Sequence, residues 1–303
     1  MKNGLSENAV KRIASAMGVL CADFDSSAFS AHAMTGLETL ELKDRVAHLI
    51  AALHQFLPPD FGTTAGLLQQ LPDVWDYGDP NDGMRGFAAW PLIDYSSVYG
   101  LQHPQVALET LKHLTGIFSA EFAIRPFLIA HPKYCHQQLQ LWIHDESEHV
   151  RRLVSEGTRP RLPWGMQLKL YIQNPGPNLP LLNALKSDNS HYVRRSVANH
   201  LNDIAKDHPD LVIEICRDWY PKASKELLWV IKHATRTLVK AGHPDVFPLL
   251  GYSENVELAA PVLSISQSKL RLGDSLEFQV ELQSEASQLQ KLVVDFVIHF
   301  TKA

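Results

Sequence analysis

No stretch of this 303-residue chain is apolar for long enough to span a bilayer, although 45% of its residues are hydrophobic, so a membrane-spanning helix is not expected. The first residues, MKNGLSENAVKRIASAMG, lack the apolar core of a secretory signal, and a cytoplasmic monomer is the expectation. Cysteine is scarce. Cys21, Cys135 and Cys216 are odd in number and far apart, which excludes a disulfide framework and points to reduced core thiols. Metal-ligand spacing is missing as well: Cys135-His136 has no second ligand pair. The acids Asp76, Asp79 and Asp82 imitate a calcium loop without its bidentate Glu. No metal and no cofactor are expected.

What the chain does have is repetition. From Ser190 to Asp203, SHYVRRSVANHLND, the apolar positions Val193, Val197, Leu201 and Ile204 recur at helical spacing and define a buried face. Arg195, Asn199 and Asp203 follow at i, i+4 steps and line a polar edge. The same frame stands 43 residues earlier, where DESEHVRRLVSE (145–156) matches DNSHYVRRSVAN (188–199). In that alignment Arg151 and Arg152 fall on Arg194 and Arg195, and Glu156 falls on Asn199. A further copy, VIKHATRTL (230–238), matches VRRSVANHL (193–201). His-Pro recurs at His103, His131, His208 and His243, with Asn174-Pro175 as its relative, at spacings of 28, 43, 34 and 35 residues. Proline suits a first helical turn, and its recurrence at such intervals predicts paired helices stacked as a solenoid.

Charge divides along the chain. Residues 1–124 hold 7 basic and 14 acidic residues (−7), 125–240 hold 17 and 11 (+6), and 241–303 hold 4 and 8 (−4), which together give the net −5. Only the repeat region is basic, and its arginines are clustered. A local stripe is what a phosphate backbone needs, since affinity comes from the contacted surface. Ahead of the repeats, helices are expected near Glu7–Leu20, Leu37–Phe56 and Thr64–Leu71, broken by Pro58-Pro59 and by the acidic loop Asp73–Asp82.

Glu121 sits among Phe118, Phe122 and Ile124, where a carboxylate is costly unless paired or used. Gly157 is expected to end the helix that carries Glu156. After it, RPRLPW (159–164) forms a stiff loop carrying the indole of Trp164 to the concave side, where it either packs between repeats or meets a ligand. From residue 251 the pattern changes to period two with Gly-Asp turns, the mark of antiparallel strands. Three or four strands are too few for a sandwich. Either the chain stops inside an immunoglobulin-like domain or a small sheet leans on the helices, and the first is expected. The fold class is therefore mostly α, a helical-repeat solenoid over residues 1–250 with a short, incomplete immunoglobulin-like β segment over 251–303.

The strings TGIFSAEFAIRPFL, HDESEHVRRLVSEGTRPRLPWG and DNSHYVRRSVANHLNDIAKDHPD resemble those of the AlkC-type DNA glycosylases, members of the alkylation-repair superfamily built from HEAT-like repeats. LETLELKDRVAHLIAAL is similar to the same family, so the resemblance covers about residues 1–250. It implies excision of cationic N-alkylated bases, chiefly 3-methyladenine with 3-methylcytosine beside it, from double-stranded DNA without flipping the base into a pocket, an exception among enzymes that act on bases. It further implies that Glu121, Glu156 and Asp203 are the active-site carboxylates and that Trp164 is the aromatic beside the lesion. Glu156 and Asp203 are expected nearest the chemistry, with Glu121 in support.

Arg152, Arg159, Arg161, Arg194 and Arg195 would hold phosphates, with Arg151 and Arg194 also placed to turn into the repeat interface. These residue types suit the reaction. An alkylated base leaves without a general acid, and carboxylates near the sugar stabilise its oxocarbenium character and can orient water. Two other readings stand beside this one: a HEAT-like protein that grips damaged or branched DNA without cutting it, and a protein-binding solenoid. The acids and the indole together disfavour the former, and arginines beside carboxylates on one edge disfavour the latter.

Overall fold

A computed structural model describes residues 1–299 apart from Glu254, Asn255, Leu272 and Asp295. The first helices are α1 (Glu7–Leu20), α2 (Ser26–Met34), α3 (Leu42–Phe56), α4 (Phe61–Gln69), α5 (Leu71–Val74) and α6 (Trp90–Tyr99). The paired helices follow as α7 (Pro104–Leu114), α8 (Ile124–Ala130), α9 (Pro132–Trp142), α10 (Glu148–Gly157), α11 (Lys169–Gln173), α12 (Leu179–Leu185) and α13 (His191–Ile204). The last are α14 (Pro209–Trp219), α15 (Lys225–Ala234), α16 (Arg236–Lys240) and α17 (Val246–Leu249).

Repeat units appear as α9–α10, α12–α13 and α14–α15. The second helices α10, α13 and α15 lie side by side as one inner row, while α9, α12 and α14 pack behind them. Val193, Val197, Leu201 and Ile204 are buried as the periodicity required. One apolar core runs from Leu5 to Leu250. Proline at the expected first position starts α7, α9 and α14, where its missing N–H costs nothing. None of the histidines before these prolines makes a side-chain cap, and those before α9 and α14 instead tie successive repeats. His131 Nε2 lies 2.8 Å from the Leu101 carbonyl and His208 Nε2 lies 2.7 Å from that of Ile172.

Three expectations need correction. Gly157 does not follow its helix but closes α10 from within, because a Cβ there would stand 2.6 Å from Ile124 Cγ2. It is a close-packing glycine between α10 and α8. Helix α2 was not anticipated, and the stretch Leu37–Phe56 is a 3-10 turn (Leu37–Thr39) followed by α3. In the tail, two antiparallel strands form, β1 (Val262–Ile265) and β2 (Phe278–Glu281), with Val262 opposite Glu281 and Ile265 opposite Phe278. The alternating run from Lys291 joins no strand among the described residues. Both strands are exposed along their length, since a period-two face is buried only when a second layer covers it.

The acidic loop is a solvated connection built on side-chain turns. The carboxylates of Asp76, Asp79 and Asp82 accept from the N–H groups of Gly78, Asn81 and Met84, and Arg12 donates to the carbonyls of Asp76 and Arg85. Cys135 and Cys216 are buried and free. Burial pushes both thiols up to about 12, which makes them inert packing groups. No group of side chains suited to hold a metal occurs among the described residues, and no described helix is long and apolar enough to cross a membrane.

Candidate active site

The inner row of helices carries an alternating chain of acids and bases. Glu121, in the turn before α8, accepts from Ser119 Oγ at 2.6 Å and from Arg152 Nη1 at 2.8 Å. On α10, Arg152 and Glu156 are one turn apart at 3.5 Å, and Arg159 Nη1 donates to Glu156 Oε1 at 2.7 Å. Ser196 of α13 donates to Glu156 Oε2 at 2.6 Å. Arg159 then reaches across the repeat boundary, its Nε 2.8 Å from Asp203 Oδ2, and Lys206 holds the other Asp203 oxygen at 2.9 Å. Three carboxylates thus interleave with three cations. The face of Tyr192 covers the Arg152 guanidinium at 4.6 Å.

Electrostatics keep the central acid ionised. Burial alone would push the Glu156 carboxyl up, but the attraction of Arg152 and Arg159 and the donors Ser196 and Arg159 outweigh it and hold it below the usual carboxylate range. Arg159 is likewise held charged, with Glu156 and Asp203 overcoming the cost of its burial. Removing one partner would leave a buried charge uncompensated, a loss of roughly 3–5 kcal/mol.

Glu121, Glu156 and Arg159 line a cleft of about 340 Å³ whose other walls include Phe87, Trp90, Phe118, Phe122 and Trp164. Trp90 stacks on Phe122 with ring centroids 5.0 Å apart and on Phe118 at 5.9 Å. Asp203 does not line this cleft. It lies behind Arg159 with 2% of its surface exposed, so the edge that sequence spacing drew through Arg195, Asn199 and Asp203 turns inward as it descends α13. Asn199 is engaged midway by His233 and Arg236.

Trp164 is displayed rather than packed. It is 55% exposed and stands at φ 64°, alone among the described non-glycine residues in the left-handed region. That conformation costs a residue with a Cβ about 1–2 kcal/mol, so its neighbours must hold it. Lys43 Nζ donates to the Trp164 carbonyl at 2.6 Å, and the fully buried Arg125 donates to the carbonyls of Met166 at 2.7 Å and Gly157 at 2.9 Å. Leu168 N–H closes the loop on the Pro160 carbonyl at 3.1 Å.

The five arginines expected at phosphates divide. Arg152 and Arg159 are consumed by the acids of the cleft, and Arg194 donates to the carbonyls of Asp188 and Asn189 at the start of α13. Arg161 forms a two-pronged pair with Asp207, both bonds 2.8 Å, while staying half-exposed. Arg195 is exposed, and no ion pair reaches it among the described residues. Sequence reasoning missed Phe87, Trp90, Arg125 and the serines at 119 and 196. It also had a usable sign that the arginines pair internally, because Arg152, Glu156 and Arg159 are spaced i+4 and i+3.

Over the whole chain the fold is similar, with a TM-score of 0.77, to a solved structure, the Pseudomonas fluorescens alkylpurine DNA glycosylase AlkC bound to DNA containing an abasic site analog, 35% identical, with 94% of this chain and 76% of that one covered. The chain belongs to the AlkC family. The uncharacterized protein YhaZ of Bacillus subtilis (strain 168) is 36% identical over 264 residues, 87% of this chain and 71% of YhaZ. Residues 260–303 match a family model described as the C-terminal Ig-like domain of YhaZ. Helical repeats followed by an immunoglobulin-like segment are thus the fold class expected from the sequence.

Proposed function

We propose that this protein is a DNA glycosylase of alkylation repair that hydrolyses the N-glycosidic bond of cationic bases, 3-methyladenine and 3-methylcytosine, in duplex DNA. The supporting observation is the meeting of Glu121, Glu156 and Trp164 on one cleft, with Asp203 tied to it through Arg159, in a chain similar to an alkylpurine DNA glycosylase. An alkylated base leaves with the C1′–N electron pair and no protonation, and the sugar acquires positive charge. Glu121 and Glu156 present negative charge to that sugar, and Asp203 adds its own from behind the arginine. Water attacks C1′, an acid of the cleft accepts its proton, and an abasic site and a free base remain. The indole of Trp164 attracts the cationic nucleotide, and a neutral base is too poor a leaving group to react, so no eversion into a fitted pocket is required.

Duplex DNA treated with a methylating agent tests the reading, with free bases resolved by chromatography. Wild type releases 3-methyladenine, while Glu156→Gln and Asp203→Asn release it about a hundredfold more slowly or worse and keep duplex affinity. The amides keep an acceptor oxygen for Arg159 while removing the charge, so thermal unfolding curves recorded beside the rates separate lost chemistry from lost structure. No release by wild type would leave only the reading in which a helical-repeat protein grips DNA without cutting it.

A further inference from the structure

Behind the cleft lies a second cavity, of about 480 Å³, that shares Trp90, Phe122 and Trp164 with it and extends between α3 and α6. The volume falls within the roughly 300–1,000 Å³ of small-molecule sites. Its walls are chiefly apolar and aromatic, with two charged groups on its lining. Asp94 of α6 is half-buried there, and Trp90 Nε1–H donates to its Oδ2 at 2.7 Å. No donor reaches Asp94 Oδ1 among the described residues. Lys43 of α3 lines the same space, with one of its three N–H groups committed to the Trp164 carbonyl. A flat ring with both a hydrogen-bond donor and an acceptor on its edge fits this pairing of stacking surface, acceptor and donor.

We propose that this cavity binds the released nucleobase: the product slides past the Trp164 indole and is held between aromatic faces with its amino edge on Asp94 and an acceptor nitrogen toward Lys43. The assignment rests on the glycosylase reading above. Burial pushes the Asp94 carboxyl up to about 7 against the opposing pull of the Trp90 N–H, so the group can accept from or donate to a base near neutrality. The product site also gives the Asp94 carboxyl a role that the cleavage step leaves unfilled.

Titration of the full chain, free of DNA, with 3-methyladenine tests the site by calorimetry and by quenching of tryptophan fluorescence. Saturable one-to-one binding is expected. Asp94→Asn keeps an acceptor for Trp90 but loses the charged bond, and should bind about tenfold more weakly or worse. Ala47→Trp, at an exposed position on the cavity wall, should fill the space and abolish binding. Both variants should release base from methylated DNA at the wild-type single-turnover rate, while added free base no longer inhibits their multiple turnover. Wild-type release without base binding, or variants that bind as wild type does, would overturn the site. Base binding without any release would remove the glycosylase reading and leave the nucleobase cavity in place.

Discussion

His200 shows how closely the inner row is packed around its charges. The imidazole is fully buried beneath Glu156 and Asp203, its Nδ1 lies 2.9 Å from the Ser155 carbonyl, and its Nε2 has no partner. Burial, reinforced by the nearby Arg159 charge, lowers its pKa from 6.5 to about 4. The folded state holds the ring neutral, whereas the unfolded chain protonates it from 6.5 downward. The stability from this group is therefore complete above pH 6.5 and is lost as pH falls toward 4, a change of about 3 kcal/mol. Denaturant unfolding of wild type should show that loss, and His200→Gln, less stable at pH 7, should lose about that much less on acidification. Parallel pH profiles would place the acid sensitivity elsewhere. At this scale the motif resemblance named Glu121, Glu156 and Trp164, which the structure brings to one cleft, whereas the internal pairing of the arginines was not anticipated. A guanidinium at helical spacing from a carboxylate reads equally well as a phosphate contact or an internal pair. The difference lies in whether the partner is buried, and that depends on the neighbouring repeat: Asp203 reaches Arg159 across 44 positions of sequence.

At the scale of elements, the starts of α7, α9 and α14 were legible because proline is tolerated in a first turn and seldom inside a helix, whereas Pro175 precedes a 3-10 turn (Gly176–Asn178) and Pro244 lies two residues before α17. The missed or blurred helices have a physical reason. Helix α2, SSAFSAHAM, buries only Phe29 and Ala33 and has almost no apolar asymmetry, and α6, WPLIDYSSVY, is buried on most of its circumference. Neither displays the one-sided stripe that marks a surface helix. The loop that presents Trp164 was expected to be stiff because of Pro160 and Pro163; its rigidity also depends on Lys43 and Arg125, which lie on distant elements. The left-handed backbone at Trp164 yields a comparison of two truncations that remove the same indole. Trp164→Gly relieves the strain that Trp164→Ala retains, so the glycine variant should be the more stable by about 1 kcal/mol in thermal or denaturant unfolding. Both should lose base release to the same extent. An alanine variant as stable as the glycine variant would mean that the loop relaxes out of the left-handed region once the indole is gone.

For the molecule as a whole, a net charge of −5 with 28 basic residues leaves little long-range attraction for DNA, and the basic excess of the repeat region is smaller in practice than it looks. Arg151 pairs with Asp188, Arg152 with Glu121, Arg159 with Glu156 and Asp203, and Arg161 with Asp207. Paired guanidiniums displace no counterions from a phosphate unless the pair opens. The footprint should then be carried by exposed cations on the inner row, Arg195 foremost, while Arg161 contributes once its half-exposed pair with Asp207 opens. Duplex affinity measured by fluorescence anisotropy across 50–200 mM salt separates the two groups of arginines. Arg195→Ala should weaken binding on every sequence alike and reduce the slope of log affinity against log salt by about one. Arg152→Ala should leave that slope unchanged and instead lower the unfolding temperature, because it strands Glu121 and removes one of the two guanidiniums beside Glu156. An unchanged slope in the Arg195 variant together with a reduced one in the Arg152 variant would mean that the buried pairs open on DNA and that the cleft, rather than its exposed rim, supplies the phosphate contacts.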